Sequence, residues 1–449
     1  MDRSKLVSLL YNRCLDAGVD EVSVVVTQER ARMTRFSENQ ITVSKTWNTT
    51  RAMAYLIKDH KRMAFLLENL SQAKIREAVR RALAWMERAK APKIKVSLPE
   101  GPFDYGCVEK SYDSRVSGIG DRMPDMVDAA INGALSEKAR KAAGVLKANE
   151  HYRLIKTSRG CEGTEKGTYL EFTIRAFYQE DSSGHENWCG STVEGFNPEA
   201  LGAAAGRTAY EAKEPHEGRP GLYDAILGPS VMGDLLNSVA LFSSASMVEV
   251  GLSCLDGKVG KKVSSENLTL IDDPRIPASP GITLFDDEGY PTEKVEIIKE
   301  GVLQTLLHSS YTAKKSGGRL TGNAYYSLFG EVSPVPRCLT TGQGDWGLDE
   351  MVHELGEGLL VTNSWYTRFH NYLTGDFSTI PRDAVFNIKG GEVAGSVSGL
   401  RISDNLLSIL ASIRALSKER VWRRWWEIET PILLPSFLVK GLRFTKSTL

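Results

Sequence analysis

The sequence predicts an α+β protein in two parts: an N-terminal α+β domain over residues 1–215 and a β-rich C-terminal domain over residues 216–449, barrel-like or folded as a curled sheet. Three observations carry this. In the first half, helix-period apolar patterns alternate with Val-rich runs. A Pro/Gly-punctuated connection, Glu214 to Gly221 (EPHEGRPG), then interrupts the chain. Beyond it, short β-type runs and Gly-rich turns dominate, among them YDAILG, LTLIDD, GITLFDD, KVEIIKEGVLQTLLHSS and AVFNIKGGEVAGS.

Each element follows from local pattern. Residues 3–17 read as a helix with Leu6, Leu9, Leu10, Cys14 and Leu15 near the 3.6 period and Gly18 as its stop. Residues 21–29 (EVSVVVTQE) read as a strand. Residues 47–58 and 62–67 read as paired strands about the charged turn Lys58-Asp59-His60-Lys61. Ser71 caps a helix whose apolar face is Ile75, Val79, Leu83 and Met86, ending before Pro92, so the opening reads α-β-β-β-α. The helical pattern returns over 122–143, with Met126, Ile131 and Leu135, followed by extended segments at 151–158 and 168–178. An Ala-rich helix covers 198–213, and two helices at 230–245 and 348–358 interrupt the β-rich half. No tandem repeat and no low-complexity block is visible.

Composition limits the function classes. At 449 residues, with 41% hydrophobic and 25% charged side chains, the chain has ample material for globular domains. Lys plus Arg and Asp plus Glu both number 56, so the basic excess of a dedicated nucleic-acid binder is missing. The six cysteines are scattered without a C-x-x-C pair, which indicates neither a zinc ribbon nor a disulfide framework. No apolar signal core opens the chain, and no apolar run approaches the ~20 residues that cross a bilayer. A soluble, cytoplasmic protein with no membrane or nucleic-acid partner is expected.

The motif search returns near misses. Gly251–Lys258 (GLSCLDGK) lacks the glycine spacing and the Ser/Thr of a phosphate loop. Gly395–Gly399 (GSVSG) has Val397 where a nucleophilic serine would stand. Glu follows His185, His216 and His353, yet none of the three has a second histidine at metallopeptidase spacing. His353 and Glu357, at i and i+4, form half of a metal site at most, and a solvated helix face is the simpler reading. His185 and Cys189 share that spacing in a segment, SSGHENWCG, that reads as a loop. Asp286-Asp287-Glu288-Gly289 and Asp272-Asp273-Pro274 suit an ion or an acid/base pair, but turns explain them more simply. Trp422, Arg423, Arg424, Trp425 and Trp426 invite a membrane or nucleic-acid reading over one or two helical turns, and packing at a domain or subunit interface is preferred. On residues alone the site stays open.

Several second-half segments resemble the TldD/PmbA family, called modulators of DNA gyrase in older naming and regarded as peptidases. They are Phe285–Thr292 (FDDEGYPT) leading into Ile297–Leu303, Ser310–Lys315 through Thr321-Gly322-Asn323-Ala324, Thr374–Ser378 with the Gly390-Gly391-Glu392 turn, and Leu255–Pro274. The first half is similar more loosely, through its α-β-β-β-α order and Ser158-Arg159-Gly160. TldD-like members carry a His-Glu-x-x-x-His metal motif and a cysteine near the C-terminus. Gly228–Leu236 matches the approach to that motif, but Asn237, Ser238 and Phe242 occupy its ligand positions, and the last cysteine is Cys338. Asn and Ser bind zinc poorly and Phe not at all.

The chain thus resembles the metal-free PmbA (TldE) branch. The resemblance implies a heterodimer with a TldD-like paralogue, or a homodimer in isolation. It also implies no cofactor in this chain, zinc in the partner subunit, and an enclosed chamber for unfolded peptide. Extended peptide could pair with a sheet edge near 282–285 or 295–308 or with the loop 316–323, which makes Phe285, Leu303, Thr321, Gly322 and Asn323 candidate contacts. The alternatives are an independent hydrolase with an unrecognised metal site, using His353 and Glu357 or His308, and a DNA gyrase-associated regulator.

Overall fold

In the computed structural model, which describes residues 3–90, 92–326 and 330–447, the first half of the chain runs through one α-β-β-β-α order twice. Helix α1 (Arg3–Asp16) leads into β1 (Glu21–Ser37), β2 (Gln40–Lys58) and β3 (Lys61–Leu67), and α2 (Gln72–Arg88) closes the first copy. After the single turn α3 (Ser114–Ser117), the second copy follows as α4 (Met123–Ser136), β4 (Lys141–Thr157), β5 (Glu162–Gln179), β6 (Ser182–Gly190) and α5 (Pro198–Glu211). The six strands form one antiparallel sheet in the order β3-β2-β1-β4-β5-β6, so the copies meet along β1 and β4.

Local chemistry accounts for the segment ends. Glu38-Asn39 and Asp59-His60 take positive φ in two-residue hairpins, whose twist matches that of the flanking strands. The Ser71 side chain caps α2 by accepting from the Lys74 N–H. Two expectations need correction. The helix expected over 122–143 stops at Ser136, because Lys138 turns left-handed (φ 71°) and Lys141 already pairs with Phe177 in β4. The segment SSGHENWCG is strand β6, paired with β5, rather than a loop.

Strand alternation gives the sheet two unlike faces. Leu6, Leu10, Ile75, Val79 and Met86 of the first two helices cover Val22, Val24, Val26, Ala54 and Leu56. Helices α4 and α5 cover Leu146, Leu170, Phe172 and Ile174. These two helices touch backbone to backbone, and a Cβ at Gly202 would lie 1.9 Å from the Ala130 carbonyl oxygen. All helices of this half therefore sit on one face. The other face looks toward the second half of the chain.

The second half opens with β7 (His216–Glu217), β8 (Gly221–Leu227), α6 (Pro229–Phe242) and α7 (Ala245–Glu249). Short elements follow: β9 (Leu270–Asp272), β10 (Val295–Lys299), β11 (Val302–Leu303), α8 (Ser310–Ser316), β12 (Ala324–Tyr326), β13 (Val332–Pro334), β14 (Leu339–Thr341) and α9 (Leu348–Leu355). Long strands β15 (Gly358–Asn371) and β16 (Asp376–Lys389) precede β17 (Glu392–Ser398), β18 (Leu400–Asn405), α10 (Leu406–Ala411) and β19 (Ile413–Leu416). The chain ends on β20 (Val421–Trp425), β21 (Ile428–Leu434) and β22 (Phe437–Lys446).

Strands β15-β8-β22-β18-β16 close into a five-stranded barrel through the β15–β16 pairing, and β11-β10-β9-β14-β21-β20 form a curled sheet beside it. The fold is thus α+β with a barrel-containing second half. Helix α6 lies between the two: its apolar side, Val231, Leu235, Leu236 and Val239, shares one core with Leu227 and Val439 of the barrel and Ile297 and Ile432 of the curled sheet. Among the described residues no helix is long and apolar enough to cross a membrane.

Candidate functional site

A cleft of about 870 Å³ lies between the helix-free face of the N-terminal sheet and the second half of the chain. Its floor is built by alternation. Val25, Thr27 and Glu29 of β1, Asn149, His151 and Arg153 of β4, and Glu165 and Tyr169 of β5 all point away from the helices and into it. The opposite wall carries Asp234, Asn237, Ser238 and Leu241 of α6, together with Arg424, Trp426 and Glu427.

Arg153 joins the two halves at one end of this floor. Its guanidinium donates to Glu165 Oε1 at 2.6 Å, Thr283 Oγ1 at 2.8 Å and Asp287 Oδ1 at 2.8 Å. Burial opposes its charge, but Glu165 and Asp287 more than offset this and raise its pKa. Glu165 is held below the carboxylate range: burial pushes it up, and Arg153, His151 and the Leu284 N–H outweigh that. The next two polar side chains on β4 differ. Asn149 gives its amide to Glu29 while its Oδ1 has no partner, and no hydrogen bond reaches the His151 ring. Burial lowers the His151 pKa, with Arg153 and Arg424 adding to the effect and Glu165 and Glu29 opposing it, so the imidazole is neutral at neutral pH.

The positions that the resemblance assigns to the metal motif lie on α6, and they do not fit a metal. Asn237 uses both ends of its amide on the Thr430 backbone, and Ser238 Oγ donates to the Asp234 carbonyl at 3.3 Å. Phe242 is buried in the core, edge-on to Phe369. Among the described residues, no three His, Cys, Asp or Glu side chains gather as a metal-binding group. One turn before Asn237, Asp234 accepts from the Thr367 hydroxyl. Burial, with the nearby Glu427, pushes its pKa up to about 7.

The other residues singled out from sequence lie elsewhere. Phe285, Leu303, Thr321, Gly322 and Asn323 are inside the fold rather than on the cleft surface. Phe285 packs on Tyr105, Thr321 brackets the His308 backbone, and Asn323 ties Asp272 to the Val335 carbonyl. Between 282 and 285, Ile282 and Thr283 are the residues that reach the cleft. His353 stands exposed in the last turn of its helix, and Glu357 lies beyond the Gly356 cap, so the two do not share a helical face. His308 is buried, its Nδ1 3.3 Å from Thr312 Oγ1. Asp286-Asp287-Glu288 do form a turn, but a buried one. Asp286 accepts from the Glu288 and Tyr290 N–H groups, and burial beside Glu288 raises its pKa to about 8.

Trp422 to Trp425 lie in strand β20 rather than on helical turns, with Trp426 in the turn beyond it, and the segment packs between the two halves. Arg424 N and Arg423 Nη1 donate to Asn187, Arg424 stacks on Tyr169, and Trp425 packs on His185. Asn149, His151, Arg153, Glu165 and Asp234 were not singled out by sequence. The signal available was the alternation of polar Asn149, His151 and Arg153 in an extended segment, opposite Glu165, Gly167 and Tyr169 on the next strand.

Residues 220–446 match the model of the PmbA/TldA metallopeptidase C-terminal domain. A metalloprotease of Methanothermobacter thermautotrophicus is 28% identical over 353 residues, 74% of this chain and 75% of that protein. In fold, the chain is similar to a Thermotoga maritima protein described as a modulator of DNA gyrase, with a TM-score of 0.86, 24% identity, and coverage of 99% of this chain and 100% of the other. It is likewise similar to TldE of Thermococcus kodakarensis, with a TM-score of 0.85, 21% identity, and coverage of 98% and 99%.

Proposed function

The chain belongs to the PmbA/TldD metallopeptidase family, and from that premise we propose that it is a metal-free, TldE-like subunit that holds unfolded peptide for a zinc-bearing, TldD-like partner. The observation that carries this reading is the fate of the metal-motif positions. Asn237 and Ser238 line the cleft on α6, yet Asn237 is committed to the Thr430 backbone, and Phe242 is turned into the core. A helix that carries ligands in one branch serves here to anchor a strand.

The cleft suits a peptide better than a small charged substrate. Arg153, the cation at one end of its floor, is already neutralised by Glu165 and Asp287. Leu241, Tyr325 and Trp426, all exposed at its walls, offer apolar contact for varied side chains. Binding, orientation and exclusion of water are the contributions open to this chain. Bond cleavage would fall to the partner's metal.

The test is reconstitution. The purified chain, a His-Glu-x-x-x-His paralogue, and their mixture are assayed on a reduced, unfolded polypeptide. Hydrolysis by the mixture well above that of either component supports the reading. Hydrolysis by this chain alone at the rate of the mixture contradicts it.

A further inference from the structure

We propose that Asn149 and His151 form a polar ladder on the cleft floor that hydrogen-bonds the main chain of an extended peptide. The proposal deepens the peptide-holding reading above and rests on it. The two residues stand at i and i+2 on β4, on the face that lines the cleft. Strands rise about 3.3 Å per residue, so the two side chains are offset by ~6.6 Å along β4. An extended peptide presents N–H and C=O groups to one side with the same two-residue repeat. The floor is therefore pitched to a main chain laid along β4, whatever its side chains.

Both residues have hydrogen-bonding capacity that the fold leaves unused. Asn149 is 2% exposed, and its Oδ1 lacks any partner although its amide is held by Glu29. A buried carbonyl left unpaired costs stability, and a donor arriving with a ligand restores it. The His151 ring also has no hydrogen-bond partner, and as a neutral imidazole it offers one acceptor and one donor.

Space for that ring is made by Gly167, its direct partner on β5. A Cβ there would lie 2.4 Å from His151 Cε1. The third polar residue of the row, Arg153, is saturated by Glu165, Thr283 and Asp287 and so takes no part in the ladder. The ligand that matches two neutral groups at this spacing is a run of peptide amides.

The test uses the full chain and a fluorescein-labelled, uncharged twelve-residue peptide, read by anisotropy. A second probe is the same peptide N-methylated at alternate residues in both registers. Asn149→Ala and His151→Phe should each weaken binding about five- to tenfold, the loss of one hydrogen bond, with melting temperature nearly unchanged. His151→Gln, which keeps an acceptor, should recover part of the loss, and one N-methylated register should bind worse than the other. If the folded variants bind the peptide as the parent does, the ladder is wrong and peptide is held elsewhere in the cleft. If neither the parent chain nor its mixture with the paralogue binds the peptide, the peptide-holding reading falls and the ladder falls with it.

Discussion

The carboxamide of Asn237 pairs with the backbone of Thr430 in both directions, Nδ2 donating to the Thr430 carbonyl at 3.0 Å and Oδ1 accepting from its N–H at 2.9 Å. The side chain thereby copies one rung of a β-ladder and fastens α6 to β21 on the wall of the cleft. A third contact, Nδ2 to the Gly233 carbonyl at 3.1 Å, ties it back to its own helix.

Replacing this group should therefore cost stability before it affects anything else. Asn237→Ala leaves the Thr430 N–H and C=O unsatisfied, at about 1–3 kcal/mol. A lowered denaturation midpoint measures it, and an unchanged midpoint would remove the anchoring role assigned here to Asn237.

Arg153 holds a larger stake. Arg153→Met strands Glu165 and Asp287, both buried, without their cation. Breaking a buried pair from one side typically costs about 3–5 kcal/mol. Thermal unfolding of this variant should fall well below that of Asn237→Ala. A shift no larger than that of a surface substitution would mean that the two halves do not depend on this junction.

Asp234 gives a pH signature. Its pKa in the fold, about 7, lies above the ordinary aspartate value near 3.8. Its contribution to stability is therefore fully present below pH ~4 and is lost as pH rises through about 7. Asp234→Asn removes the titrating group and can still hydrogen-bond Thr367. The variant should gain about 2–3 kcal/mol over the parent at pH 8 relative to pH 5. Equal stability differences at the two pH values would show that Asp234 ionises normally.

The contact between α4 and α5 can be tested by a single methyl group. Gly202→Ala drives a Cβ into the Ala130 carbonyl and should cost ~1–3 kcal/mol. Gly342→Ala, where nothing lies within 4 Å of the new atom, serves as the neutral control. Equal melting temperatures for the two variants would contradict the close approach of these helices.

Much of the scaffold is legible in the sequence where one period dominates. The Ser71 cap, the Ile75, Val79 and Met86 face and the Asp59-His60 hairpin are strong local signals, and the structure carries each of them. Strand β6 fails as a sequence signal because its outward residues, Ser183, His185 and Asn187, are polar groups buried against the second half. The helix read over 122–143 overran because Ala139, Ala142 and Ala143 suit either helix or strand, and the left-handed Lys138 leaves no Gly or Pro as a mark.

The cleft floor was illegible for a related reason. Glu29 and Asn149, 120 residues apart in the chain, become neighbours only when β1 and β4 pair. The family motif, by contrast, fixes Asn237, Ser238 and Phe242 from the sequence alone. Their geometry adds what each of them does instead of binding metal.

Zinc content, read by elemental analysis, decides whether this subunit is metal-free. It is measured on the purified chain after incubation with excess zinc and desalting, and on the chain co-purified with a His-Glu-x-x-x-His paralogue. A negligible amount is expected in the chain alone and about one zinc per pair in the complex. Stoichiometric zinc in the chain alone would contradict it, and would mean that ligands other than Asn237, Ser238 and Phe242 make this subunit a metal enzyme in its own right.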